Sequence, residues 1–163
     1  MNLIITCSRH LEDEAAQEIS SILEEFGDEQ VETENTDFSG IIVAHTSLDP
    51  FQVIQKIKQM TIDDPWKIRY CLRFIPIEKF TESRIDSIVD SVKELSSKIK
   101  PDETYRITVQ KRGAEFSSKE LIESIANSIN NKVSLDNFDW NIIIETIGDT
   151  CGIVIAKNQD VIS

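Results

Sequence analysis

The sequence predicts an α+β protein made of two modules. Short apolar runs rich in β-branched residues alternate along the chain with longer segments in which apolar residues recur every three to four positions. The first pattern is typical of buried strands and the second of amphipathic helices. A length of 163 residues suits one domain with a good core or two small domains packed together.

The first module is predicted from the start of the chain to residue 80. Three acidic residues at 12–14 suit a helix N-terminus, Gly27 ends that helix, and Asp49 with Pro50 forms a favourable start for the next one. The order strand, helix, strand, strand, helix, strand predicts the split βαβ arrangement of a ferredoxin-like domain. Its elements are strand 2–7, a helix ending at 26, strands 30–34 and 38–46, a helix from 50, and an extended segment 66–80.

The second module is predicted over residues 81–163 and packs against the first. A helix at about 82–99 precedes Pro101, and an alternating strand follows over 104–112. Ser117 and Glu120 form a capping box for the next helix. Two strands at 141–146 and 152–156 surround a turn at Gly148 and close the module.

The uneven distribution of charge matters for the choice of partner. The net charge is −12, which disfavours a polyanionic ligand for the molecule as a whole. Residues 1–65 hold 3 Lys or Arg against 14 Asp or Glu, whereas residues 66–163 hold 14 against 15. The second part can therefore still present a positive surface.

Few residues indicate catalysis, metal binding or a cofactor. His10 and His45 are isolated in the sequence, and the five glycines form no phosphate-binding loop. The three cysteines match no zinc or redox spacing, so we expect buried, reduced thiols. We expect no catalytic residue, no metal and no cofactor. With no apolar segment long enough for a membrane span and no signal peptide, we also expect a cytoplasmic protein.

Cations on two predicted strands suggest contacts with nucleic acid. Period 2 places Arg69 and Arg73 on one face of the segment 66–74, opposite its apolar row. Lys111 and Arg112 come where a strand runs into the Gly113 turn, beside the start of the next helix, whose free N–H groups would add affinity for anions. The alternative, a half-exposed strand with cations paired to acids, remains open for 66–74.

Four segments carry a resemblance to a known family. Tyr105–Arg112, the helix start at Ser117, the segment 132–139 and the segment 142–149 together resemble a THUMP domain, a module of many tRNA-modifying proteins. The preceding segment, including 69–78, is similar to the ferredoxin-like half that accompanies it. The chain most resembles the stand-alone THUMP proteins, archaeal and eukaryotic, because we expect the two modules to leave no residues for a catalytic domain.

This resemblance implies a non-catalytic adaptor. Such a protein would hold tRNA, at its acceptor stem and 3′ end, for a separate enzyme, above all an RNA cytidine acetyltransferase making N4-acetylcytidine. The family's basic pair maps onto Lys111 and Arg112. Strand geometry adds five further candidate RNA-binding residues: Arg69, Arg73, Arg84, Arg106 and Lys119. Alternatives are an RNA-binding subunit for thiolation or methylation, and a protein-interaction domain that has lost RNA binding.

Overall fold

The computed structural model describes residues 2–162, which form two compact units. One unit comprises Met1–Ile77 with Gln159–Ser163, and the other comprises Glu78–Asn158. The mixed α+β class is confirmed, with four helices and two sheets among these residues. The domain limits predicted from the sequence, 1–80 and 81–163, stay predictions, although the strand that begins at Lys79 pairs within the second sheet.

The first unit has the predicted split βαβ topology. Its sheet has the order β2-β3-β1-β4 and every neighbouring pair is antiparallel. Because β1 lies between β3 and β4, each helix connects two strands that are not neighbours. The elements are β1 (Leu3–Cys7), α1 (Glu12–Glu25), β2 (Glu32–Asn35), β3 (Ile41–His45), α2 (Pro50–Asp63) and β4 (Cys71–Pro76).

Local sequence explains both helices of this unit. Acidic residues fill the first turn of α1, where the positive end of the helix dipole stabilises them. The Asp49 side chain accepts a hydrogen bond from Phe51 N at 2.9 Å, and Pro50 occupies the first position of α2. Apolar residues of the two helices and of β1, β3 and β4 form one buried cluster that includes Leu3, Ile19, Leu23, Ile42, Ile54, Ile57 and Phe74.

The prediction of a single extended segment over 66–80 is wrong. Residues 64–70 contain no strand, β4 begins only at Cys71, and a separate strand begins at Lys79. The β1–β4 register also shifts, since Cys7 pairs with Cys71 and Thr6 pairs with Arg73. Leu72 is therefore a bulge residue. Period 2 would place Cys71 on the solvent face and Leu72 on the apolar face. At the bulge the opposite holds, because Cys71 is buried and Leu72 is 58% exposed.

A buried carboxylate joins two connections in the first unit. Asp28, 1% exposed, accepts hydrogen bonds from Thr46 Oγ1, from Ser47 N and Oγ, and from Gln30 N. Burial by itself raises the pKa of Asp28, but these four donors outweigh it and lower the pKa from 3.8 to about 2. The ionised Asp28 therefore stabilises the fold by fastening the segment after α1 to the segment after β3.

The second unit combines a parallel and two antiparallel strand pairs. Its sheet has the order β5-β8-β7-β6, in which β6 and β7 run parallel and the other neighbours run antiparallel. The elements are β5 (Lys79–Glu82), α3 (Ile85–Leu95), β6 (Tyr105–Gln110), α4 (Ser118–Ser128), β7 (Trp140–Ile147) and β8 (Thr150–Ala156). The predicted helices and the closing hairpin are present, and β5 was missed because it was joined to β4.

All three cysteines are free and buried, as the sequence predicted. Cys7 and Cys71 lie opposite each other on β1 and β4, and Cys151 lies on β8. Burial raises the pKa of Cys7 and of Cys71, and it raises the pKa of Cys151 to about 12. The three thiols therefore stay protonated and unreactive in the folded protein.

We predict that Asp28→Asn makes the free energy of unfolding depend less on pH between about pH 2 and 4. Since the folded-state pKa lies below 3.8, the ionised group contributes about 2 kcal/mol above pH 4, and this contribution is lost as pH falls towards 2. Urea unfolding between pH 2 and 7 measures the effect. The exposed Asp37→Asn serves as the control, and an equal change in both variants would contradict the assignment.

Candidate nucleic-acid interface

Four of the predicted cations lie at one end of the second sheet. Because β6 and β7 are parallel, their carboxyl ends meet at the same edge. The β7–β8 turn at Gly148 and Asp149 lies there too, and so does the end of β5, because Glu82 pairs with Thr150. Two backbone hydrogen bonds tie this end together, from Ser83 N to Asp149 O and from Gly148 N to Arg112 O, both 2.9 Å long.

Both helices of the unit begin at this sheet end. The helix α3 starts three residues after β5, and α4 starts after the loop that follows β6. The predicted cap of α4 is confirmed, with Glu120 N donating to Ser117 Oγ at 3.4 Å. Helix N-termini direct N–H groups and a partial positive charge outward, which favours anions. A shallow hollow lies between the connections, lined by residues 82–85, 113–116, Gly148 and Asp149.

Lys111 is exposed at the start of the β6–α4 loop. Its Nζ donates to Phe116 O at 2.9 Å, so the ammonium group lies against the loop that leads to the α4 N-terminus. Gly113 has a φ of 67°, a left-handed conformation that a residue with a Cβ rarely adopts, and it turns the chain there. A lysine at a solvent-exposed turn retains two further donor positions for a phosphate.

Arg112 has a different environment from its neighbour. Its NH1 donates to Glu145 Oε1 at 3.1 Å and to Thr146 O at 3.4 Å, and its side chain is only 18% exposed. Glu145 is completely buried on β7. A buried carboxylate without a cation is very unfavourable. The main role of Arg112 in this geometry is therefore to neutralise Glu145, and its backbone N also donates to Thr146 Oγ1 at 2.6 Å.

The two other cations at this end have acidic neighbours. Arg84, at the N-cap of α3, has Nε 2.8 Å from Glu82 Oε2 and 3.8 Å from Asp86 Oδ1. Lys119 is exposed in the first turn of α4, next to Glu120. The sheet end therefore carries mixed charge, and exposed lysines together with helix N-termini are its features that attract anions.

The remaining three predicted cations lie elsewhere. Arg106 is at the opposite end of β6, where NH1 donates to Leu135 O at 3.3 Å and the guanidinium lies 5.5 Å from the Phe138 ring. Arg69 and Arg73 belong to the first unit. They do not share a strand face as predicted, because Arg69 is in a bend before β4 and Arg73 is half-buried on β4.

Comparison with known families identifies the second module. Residues 82–156 match the sequence profile of the THUMP domain. The chain contains a THUMP domain. Such a domain implies RNA binding and an association with tRNA modification. The comparison with curated proteins finds no match.

Solved structures that contain the same fold are larger proteins. PH1313 from Pyrococcus horikoshii OT3 is 18% identical with a TM-score of 0.70, and the alignment covers 96% of this chain and 55% of that one. TrmN from Thermus thermophilus is 10% identical with a TM-score of 0.58, covering 95% and 45%. A 4-thiouridine synthetase in complex with RNA and ATP is 11% identical with a TM-score of 0.53, covering 100% and 42%. The chain thus spans about half the length of these structures.

Sequence reasoning missed two acidic residues that organise the molecule. Glu145 of the THUMP domain interrupts the apolar run of β7, and a charge inside such a run is a signal for a buried ion pair. Glu18 on α1, in the first unit, accepts hydrogen bonds from three successive backbone N–H groups, those of Arg69, Tyr70 and Cys71. No sequence pattern indicates the second interaction, because 51 or more residues separate its partners.

Between residues 2 and 162, no three His, Cys, Asp or Glu side chains are grouped as metal ligands would be. The helices in that range are too short or too polar to cross a membrane.

We predict that Arg112→Ala destabilises the THUMP domain far more than Lys111→Ala. Removing Arg112 leaves Glu145 buried without this cation, which costs about 3 to 5 kcal/mol, whereas the exposed Lys111 is worth less than about 1 kcal/mol. Urea unfolding measures both free energies. Glu145→Gln in the Arg112→Ala background restores part of the loss, and additive effects of the two substitutions would contradict the pairing.

Proposed function

We propose that this protein is a non-catalytic adaptor that binds tRNA at its acceptor stem and 3′ end and presents it to a separate RNA cytidine N4-acetyltransferase. The THUMP domain over 82–156 is the observation that carries the proposal. The adaptor role and the identity of the enzyme come from the resemblance of the whole chain to stand-alone THUMP proteins.

The end of the second sheet supports RNA binding at that place. Lys111 and Lys119 are exposed there, and α3 and α4 both begin at this end of the sheet. Phosphate groups are bound in proteins by such combinations of lysine and backbone N–H. Because Arg112 is held by Glu145, we propose Lys111 as the main phosphate contact of the basic pair.

The chemistry of the perturbed side chains supports a role without catalysis. Asp28 has a lowered pKa because it fastens two connections, and the cysteines have raised pKa values because they are buried. These shifts have structural causes: the raised pKa keeps each thiol protonated and poorly nucleophilic, and the lowered pKa makes the Asp28 carboxylate a weak base whose oxygens already accept four hydrogen bonds. We therefore propose that the chemical step belongs to the partner enzyme.

A second candidate function is an RNA-binding part of a methylation or thiolation system. Its support is the similarity in fold to TrmN and to the 4-thiouridine synthetase bound to RNA. Both candidates require tRNA binding and differ in the nucleotide that is modified. An interaction domain without RNA binding is the outcome if tRNA does not bind.

We predict that Lys111→Glu weakens binding of full-length tRNA without unfolding the protein. Loss of one phosphate contact lowers the slope of log affinity against log salt by about 0.7 to 0.9. Filter binding or fluorescence anisotropy across a salt series measures it. Lys93→Glu is the matched control, because Lys93 is exposed in the last turn of α3, at the end opposite the proposed site.

The same titration tests the place of contact on tRNA. We expect tRNA lacking its unpaired 3′ end to bind more weakly to the wild type. If Lys93→Glu reduces affinity as much as Lys111→Glu, the effect is one of net charge and the proposed site is wrong. If no salt-sensitive tRNA binding occurs at all, the interaction-domain alternative takes its place.

We further predict that cells lacking this protein lose N4-acetylcytidine from tRNA. Nucleoside mass spectrometry measures it, and a gene encoding Lys111→Glu should restore less than the wild-type gene. Loss of 4-thiouridine or of a methylated nucleoside, with N4-acetylcytidine unchanged, would instead support the second candidate.

A further inference from the structure

We propose that Trp66, in the loop between α2 and β4, is a stacking platform for an unpaired base of RNA. The side chain is 84% exposed, the largest exposed fraction among the big apolar residues of the described chain. The inference goes beyond the proposed function, because it places an RNA contact in the first unit, outside the THUMP domain. It rests on that function only in taking RNA as the ligand.

The loop around Trp66 is fastened on both sides. Before the tryptophan, Asp64 forms a turn in which its Oδ1 accepts from Trp66 N at 3.2 Å and its O accepts from Lys67 N at 3.1 Å. After it, the Glu18 carboxylate accepts the N–H groups of residues 69–71 at 2.8 to 3.1 Å. Because the loop backbone is already ordered, binding at the indole does not require the loop to be ordered, which favours a binding role.

The segment that begins at Trp66 is basic, although the first unit as a whole is strongly acidic. Residues 66–77 contain three cations and no acidic residue. Arg69 is exposed, and its guanidinium lies 6.0 Å from the Tyr70 ring centroid. Lys67 is 3.4 Å from Glu25. The loop therefore carries an exposed aromatic face on Trp66 and, three residues further along the chain, an exposed cation on Arg69, and proteins combine these two kinds of side chain to hold single-stranded nucleic acid.

The two acidic residues at the end of α2 accept hydrogen bonds from residues close to them in the sequence. Asp63 accepts from Gln59 Nε2 at 3.1 Å, and Asp64 fastens the turn. They reduce phosphate attraction at this loop, so most of the binding comes from stacking. Stacking of one base on an aromatic side chain changes affinity by about 5- to 150-fold, and this part depends little on salt.

Exposed aliphatic residues near Trp66 in the sequence would suit a protein partner instead. Ile62 is 73% exposed on the last turn of α2, and Leu72 is 58% exposed at the bulge of β4. A protein interface would use their apolar area together with that of Trp66, whereas a base requires the aromatic face. This difference separates the two partners by experiment.

Tryptophan fluorescence tests the inference directly. Trp140→Phe leaves Trp66 as the single tryptophan, and the full chain is titrated with a single-stranded cytidine octamer and with a blunt RNA duplex. We expect the octamer to quench Trp66 and the duplex to have little effect. Equal quenching by both, or none by either, would overturn the inference. Fluorescence that changes with protein concentration alone would show self-association at Trp66 instead.

Substitutions separate stacking from apolar contact. Octamer affinity should follow the order wild type, then Trp66→Phe, then Trp66→Leu, with a total loss of about 5- to 150-fold. Ile62→Ala is the matched control and should leave it unchanged. All these side chains are exposed, so the variants should fold, as thermal unfolding can verify. If Trp66→Leu binds as well as Trp66→Phe, the aromatic face is not used and the inference is wrong.

The result can be distinguished from a failure of the proposed function. If tRNA binds in a Lys111-dependent manner and the octamer does not quench Trp66, only the inference about Trp66 fails. If neither tRNA nor the octamer binds, both fail.

Discussion

The parallel pairing of β6 with β7 is the constraint on which the candidate site depends. A parallel pair requires a crossover, here α4, and the crossover brings the chain back so that both strands end at the same edge. The antiparallel hairpin to β8, and β5 beside it, then add two more connections to that edge. Two helix N-termini, a tight turn and the Lys111 loop converge there as a consequence of topology.

A buried charge fixes the detailed shape of this edge. Glu145 lies inside an otherwise apolar strand, and Arg112 reaches it from the end of the neighbouring strand. The ion pair holds the loop of Lys111 in one register relative to β7. The two adjacent cations therefore have different roles. Arg112 is oriented inward and stabilises the fold, whereas Lys111 is exposed to solvent. Their adjacency in the sequence does not predict this difference in role.

Elements that depend on interactions between residues close in the sequence were predicted better than elements that depend on distant residues. Elements determined locally were predicted well, such as α2 with its Asp49–Pro50 start and α4 with its Ser117 cap. The split βαβ topology followed from the order of these elements. The segment 66–80 failed, because a bulge at Leu72 and the tethering of residues 69–71 by Glu18 are set by distant partners. The pair Lys111–Arg112 was expected at the end of a strand and lies directly after β6, but the sequence did not indicate that Arg112 pairs with Glu145.

The three buried thiols make each unit separately observable. Cys7 and Cys71 lie in the first unit and Cys151 in the second, and all are protonated and buried in the folded state. A thiol reagent can therefore react only after the surrounding strand opens. The labelling rates of the two groups of cysteines report how often each unit opens on its own, so the chain contains natural probes for whether its halves unfold together or independently.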